Sequence, residues 1–380
     1  MKGILICAMT IVMAFSSCRS GHEVLRTRED AARARAEIVS SWKASVYDRF
    51  KANEDSSAVT IGDVTMKYAY TVFGEEPEGG HSLWISLHGG GGTTAEVNDS
   101  QWENQKRLYQ PEEGVYLSPR APWDAWDMWF QQPVDALFEE LISTMVAING
   151  VSPDRIYLQG YSAGGDGVWR LAPRMADHWA AASMMAGHPG DVSLVNVRNL
   201  PFSIWVGELD GAYDRNLEVA ARGRELDSLQ MSDPEGYVHE CHVIEGAGHW
   251  MKLVDAAALP WMAGYSRNPY PKKVIWRQEE VVRPFFYWLK VPEDQMERGK
   301  ELIVEIKDGN VIDIERCDYS SITMMLNDEL VDLDKDVTVV RAGETLYSGK
   351  LERLRSVLAR TLEERGDPSF MFDCELTLDL

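Results

Sequence analysis

The run Gly160-Tyr161-Ser162-Ala163-Gly164 constrains this chain more than any other feature. It follows an apolar, strand-like stretch from Arg155 to Gln159 and precedes an amphipathic, helix-like one. A serine held on a tight strand-to-helix turn needs small neighbours two positions before and two after it, because a Cβ there would collide with the adjoining backbone. Gly160 and Gly164 meet that demand. The pentapeptide alone is common, so its weight comes from the segments around it.

Upstream, His88-Gly89-Gly90-Gly91-Gly92 directly follows the strand-like run Ser82 to Leu87. Consecutive glycines let backbone N–H groups converge on one point, as a developing oxyanion requires. The expected donors are the N–H of Ala163, just after the serine, and one from Gly89 or Gly90. Downstream, the apolar run Pro201 to Val206 ends in Gly207-Glu208-Leu209-Asp210 and so delivers a carboxylate at the end of a strand. Asp210 is the candidate acid; Asp214 competes with it and Glu208 less so, since an acid there also serves to cap the helix starting near Tyr213. Farther on, Gly246-Ala247-Gly248-His249-Trp250 places a histidine on a glycine-rich loop after the strand-like Tyr237 to Ile244. A neutral imidazole there can take a serine proton and return it to a leaving group while the acid fixes its tautomer. His88, His188, His239 and His242 are rivals, but His249 completes the order Ser, Asp, His with each member at the end of an expected strand.

These four motifs resemble those of α/β-hydrolases, nearest to secreted bacterial esterases of the polyhydroxybutyrate depolymerase, feruloyl esterase and dienelactone hydrolase type. The resemblance spans Thr65 to Leu289 and implies a serine hydrolase with Ser162 as nucleophile, His249 as base and Asp210 as acid. It is specific for fold and weakly specific for substrate. A carboxylester hydrolase is the first expectation and a peptidase or amidase of the prolyl oligopeptidase kind the second, since the same machinery serves both. A lipid-tethered binding protein without activity is the remote third. No cofactor and no metal is expected, the cysteines having no zinc-like spacing.

The chain has 380 residues, 45% of them apolar, ample for a buried core with one large and one small domain. Its 38 basic and 60 acidic residues give a net charge of −22, which disfavours nucleic acid as a partner. At the N-terminus, Lys2, an apolar stretch from Ile4 to Phe15 and then Ser16-Ser17-Cys18 are shaped like a secretory signal. Small residues before a cysteine resemble a lipoprotein signal, implying cleavage before Cys18, its lipidation, and anchoring in the bacterial cell envelope. Removal of Cys7 and acylation of Cys18 would leave Cys241, Cys317 and Cys374, an odd number; Cys317 could meet Cys374 if their strands are neighbours.

The expected layout is a signal over 1–18, a helical spacer within 19–60, the catalytic domain over 61–292 and a small β-rich domain over 293–380. The spacer helix runs from Arg26 to Asn53, with Ile38, Trp42, Val46, Tyr47 and Phe50 at helical spacing. After two entry strands, β and α segments alternate from Val115 to Ile244, which implies a mostly parallel sheet with helices on both faces and a ligand crevice at the strand C-terminal ends. The tail after Glu293 shows strand-like alternation with one helix near Leu351 to Glu364. Between Arg120 and Phe130, Trp123, Trp126 and Trp129 fall on a loop on the catalytic side, and with Trp250 they are the candidate wall of a pocket for an ester's aromatic, sugar or long-chain group. Asp124 and Asp127 are weaker candidates for holding a sugar hydroxyl, and Asp166 and Trp169 read as packing and capping residues.

Overall fold

The computed structural model describes residues 23–380. The expected signal, with Cys7 and Cys18, lies outside the described residues. Eight strands form the central sheet: β1 (Ala58–Ile61), β2 (Val64–Phe73), β3 (His81–Leu87), β4 (Gly114–Pro119), β5 (Val151–Tyr161), β6 (Ala181–Met185), β7 (Phe202–Gly207) and β8 (His239–Ile244). Their spatial order is β1-β2-β4-β3-β5-β6-β7-β8. The first two strands run antiparallel and every pairing from β4 to β8 is parallel.

Alternation along β3 explains why this sheet is covered on both faces. Leu83, Ile85 and Leu87 join one core cluster while Trp84 joins another. Successive side chains of a strand point to opposite faces, so a strand buried on both sides reads as continuous apolar sequence. Seven helices follow in chain order: α1 (Arg28–Ser56), α2 (Ala95–Gln105), α3 (Val134–Ile148), α4 (Ala163–Arg174), α5 (Arg215–Ser232), α6 (Ala258–Ala263) and α7 (Arg355–Arg365). Helices α3, α4 and α5 contribute Leu137, Val168 and Val219 to the first cluster, and α6 contributes Leu259 and Met262 to the second.

Helix α1 begins with a capping box in which Thr27 and Asp30 each accept the other's backbone N–H. Trp42 and Phe50 are buried with Leu358, Leu362 and Met371, and Asn53 donates to Glu140 and Thr144 of α3. The helix thus packs on the hydrolase body and on the C-terminal unit. Tyr47, expected on its buried face, is exposed.

The β-rich C-terminal unit starts about twenty residues earlier than the boundary at 293 expected from sequence. Strand β9 (Lys273–Arg277) pairs with β10 (Glu301–Lys307), which continues through β11 (Val311–Cys317), β13 (Val337–Arg341) and β14 (Glu344–Gly349) in one sheet. A second sheet holds Phe285–Phe286, Leu289–Lys290, β12 (Ser321–Leu326) and β15 (Cys374–Asp379). Cys317 and Cys374 therefore lie in different sheets and, like Cys241, are free thiols. The unit is fastened along the edge where the parallel strands begin. There Arg267 donates to Asp154 and Asp367, and Tyr287 donates its hydroxyl to the Ala176 carbonyl.

Candidate active site

Ser162 occupies the turn between β5 and α4 with φ 58° and ψ −123°, a backbone region that costs energy for any residue with a Cβ. The surrounding packing holds it there. A Cβ on Gly160 would stand 2.3 Å from the Gly164 carbonyl oxygen, and one on Gly164 would stand 2.1 Å from that of Leu87. The turn is tied to β6 by the Ser162 N–H, which donates to the Met185 carbonyl at 2.9 Å. Ala163 opens α4, so its N–H has no acceptor within the helix.

The glycine loop lies beside the serine: a Cβ on Gly89 would come within 3.3 Å of Ser162 Cβ. Gly90 and Gly91 both have φ near +100°, which excludes side chains. Two buried side chains hold this loop. His88 Nδ1 donates to the Gly89 carbonyl at 2.6 Å while Nε2 accepts from Ala121 N at 3.1 Å, which fixes the neutral Nδ1–H tautomer. Burial drives the imidazole down from 6.5 to about 4. The carboxamide of Asn98 accepts from Gly91 N at 2.9 Å and donates to the Gly91 carbonyl at 3.0 Å. His88, a rival for the base in the sequence, is thus part of the loop's scaffold.

His249 Nε2 lies 2.9 Å from Ser162 Oγ, and His249 Nδ1 lies 2.7 Å from Asp210 Oδ2. Asp210 is buried, whereas Asp214 is exposed and Glu208 accepts from Gly246 N at 2.9 Å, so neither rival acid faces the imidazole. The other histidines are engaged elsewhere: His239 with Asp227, His242 with Trp205 and Glu240, and His188 with Gly190 N. Tyr161, inside the motif, is a residue that sequence reasoning passed over. Its hydroxyl donates to the His249 carbonyl at 2.6 Å and accepts from Met251 N at 3.0 Å, so it pins the histidine loop from both sides.

Two clefts meet at Ser162. One, about 660 Å³, passes between α2 and the histidine loop and includes Gln101, Asn104, Leu108, His249, Trp250 and Leu253 in its walls. The other, about 500 Å³, is bounded by Trp126, Phe130, Asp166, Arg170, Tyr213 and Arg215, among others. Trp126 and Trp250 line these clefts and are exposed, as a pocket wall requires. Trp129 does not: it is fully buried under the glycine loop, and its indole N–H donates to the His88 carbonyl at 3.0 Å. Trp123 packs, partly buried, against the core and borders neither cleft. Asp124 accepts from Asn98 and Arg120, and Asp127 from Gln131, so both serve the scaffold. Among the described residues no group of three or more His, Cys, Asp or Glu side chains is placed to hold a metal.

No family model and no curated protein matches the sequence. Among solved structures the chain is similar to a thermostable esterase at 21% identity, over 55% of this chain and 62% of that one, with a TM-score of 0.41. It is also similar to a ferulic acid esterase (17% identity, 55% and 95% covered, TM-score 0.39). A third is a poly(3-hydroxybutyrate) depolymerase from Bordetella parapertussis (14% identity, 54% and 86% covered, TM-score 0.40). By its own strand order and the strained strand-to-helix turn at Ser162, the chain has the α/β-hydrolase fold.

Proposed function

We propose that the protein is a serine hydrolase of carboxylic esters. The observation that carries this reading is the unbroken hydrogen-bonded sequence from Ser162 Oγ through the His249 imidazole to Asp210 Oδ2. Ser162 Oγ attacks the ester carbonyl carbon while His249 Nε2 takes the hydroxyl proton. The carbonyl π pair moves onto oxygen, where the N–H groups of Ala163 and of Gly89 or Gly90 receive the charge. Asp210 accepts a hydrogen bond from Nδ1–H throughout and stabilises the imidazolium without itself taking the proton. Collapse of the tetrahedral species breaks the bond to the alcohol oxygen, which leaves with the proton from Nε2, and the acyl group remains on Ser162. Water then repeats the sequence, releasing the acid and restoring the serine. Nucleophile and proton transfer both come from the chain's own side chains.

The test is turnover of aryl esters and peptide anilides side by side. Ester hydrolysis should dominate and should fall by about 10⁴-fold or more in Ser162→Ala. An unchanged rate in that variant would dispose of the mechanism, and faster cleavage of anilides would make the enzyme a peptidase.

A further inference from the structure

Resting on that reading, we infer that the substrate is an ester whose acyl half carries an anionic group, held by Arg215. The two clefts are not equivalent in chemistry. The proton that leaves His249 Nε2 goes to the alcohol oxygen, so the alcohol must lie on the histidine side of Ser162. Only the larger cleft is bordered by His249; the smaller is bordered by Ser162 and Ala163 without it. The acyl group therefore enters the smaller cleft. The alcohol enters the cleft walled by the carboxamides of Gln101, Asn104 and Gln105 and by Arg107.

The acyl cleft is cationic. Arg170 and Arg215 line it, against the single acidic side chain of Asp166; His188, whose Nδ1 accepts from Gly190 N, is a neutral wall residue. Asp166 accepts from His188 N at 2.6 Å, and burial pushes its carboxyl above the ordinary value. Arg170 is already engaged: its Nη1 donates to Asp191 at 3.1 Å, with Glu280 at 3.6 Å, and the guanidinium lies over the Phe130 ring. Arg215 is held more loosely: Nη1 reaches Asp210 Oδ1 and the Ala212 carbonyl, both at 3.5 Å, the guanidinium lies over the Tyr213 ring, and its buried Nε has no partner among the described residues. A largely buried guanidinium with such long contacts is under-satisfied, and a planar carboxylate is its natural complement. Trp126, Tyr213 and Phe130 supply apolar surface for the carbon chain or ring that connects this anion to the scissile carbonyl. With a net charge of −22 the molecule as a whole repels anions, so a cation placed in this cleft acts on selection at close range.

The experiment compares the p-nitrophenyl half ester of adipate with p-nitrophenyl hexanoate, matched in chain length and leaving group. The wild-type protein should favour the adipate half ester by about 10- to 100-fold in kcat/KM. Arg215→Gln should bring that ratio close to one, and Arg215→Lys should keep part of it. Each enzyme serves as its own reference, so damage to Asp210 cancels. Free adipate should also slow fluorophosphonate labelling of Ser162 in the wild type and not in Arg215→Gln, a readout independent of turnover. Equal or faster turnover of hexanoate by the wild type, a ratio indifferent to Arg215→Gln, or labelling unaffected by adipate would overturn the anion subsite while leaving the esterase reading intact. Loss of both ester turnover and Ser162 labelling would instead overturn the esterase reading.

Discussion

Ser162 sits in a conformation that no isolated serine would choose, and the residues that force it there were readable in advance because their constraint is local. Gly160 and Gly164 are demanded chiefly by contacts with backbone, 2.3 Å and 2.1 Å from a would-be Cβ, so the motif announces its geometry. His88 was ambiguous for the opposite reason: whether an imidazole is a base or a strut depends on burial, which a single residue type does not encode. Its burial has a measurable consequence. Because the folded-state value is depressed from 6.5 to about 4, the unfolded chain binds a proton in that interval that the folded chain refuses. Stability from this group is complete above pH 6.5 and is lost as pH falls toward 4, by about 3 kcal/mol in all. Urea unfolding at a series of pH values should show that loss in the wild type and a flatter dependence in His88→Gln. Equal slopes would mean that His88 takes up its proton normally in the fold.

At the scale of elements, the strands from β2 to β8 and the helices α1, α3, α4, α5 and α7 were legible, whereas α2 and the strands β1, β9, β12, β14 and β15 were not. The α2 sequence, Ala95–Gln105, turns Asn98 and Gln105 inward, so the apolar period that betrays a helix is missing. Those inward amides are what the glycine loop and the sheet require: Asn98 bonds to Gly91, and Gln105 donates to Ser86 Oγ at 2.7 Å. The tryptophans of the loop between β4 and α3 divide for a similar reason. Trp129 is at the base of the loop and Trp126 on its outer side, a distinction that composition does not contain. The histidine loop offers the sharpest test at this scale. Tyr161→Phe removes one hydroxyl that serves both the His249 carbonyl and Met251 N. We expect a stability loss of about 1–2 kcal/mol. Displacement of the imidazole by a fraction of an ångström should lower kcat by about ten- to a hundredfold with KM little changed. Unchanged kcat in a variant whose stability does fall would show that the loop is positioned by other contacts.

Over the whole molecule, the α/β-hydrolase fold expected from the motif order is the fold observed, and the C-terminal unit packs onto it through a shared core. One contiguous core runs from β3 and α3 through Trp276 and Trp288 to Ile322 and Phe370, so the C-terminal unit is not separable from the body. Pairings such as β9 with β10 join segments about thirty residues apart, which alternation along a chain cannot specify. No described residue of that unit lines either cleft at Ser162. Asp177 marks the joint. It is fully buried, and although burial opposes its ionisation, His178 and Arg365 hold its carboxyl well below the ordinary range. Calorimetry should therefore find a single transition with equal calorimetric and van't Hoff enthalpies. Asp177→Asn, by stranding Arg365, should lower stability by about 3–5 kcal/mol. Two separated transitions in the wild type would contradict the shared core.

The central claim is that Ser162 is an activated nucleophile. Fluorophosphonate labelling of the chain lacking residues 1–18, with Ser162→Ala alongside and mass spectrometry to locate the adduct, tests it without knowledge of the substrate. The account predicts a single adduct on Ser162 and none in the variant. A folded protein that takes no label, or takes it on another serine, would contradict it.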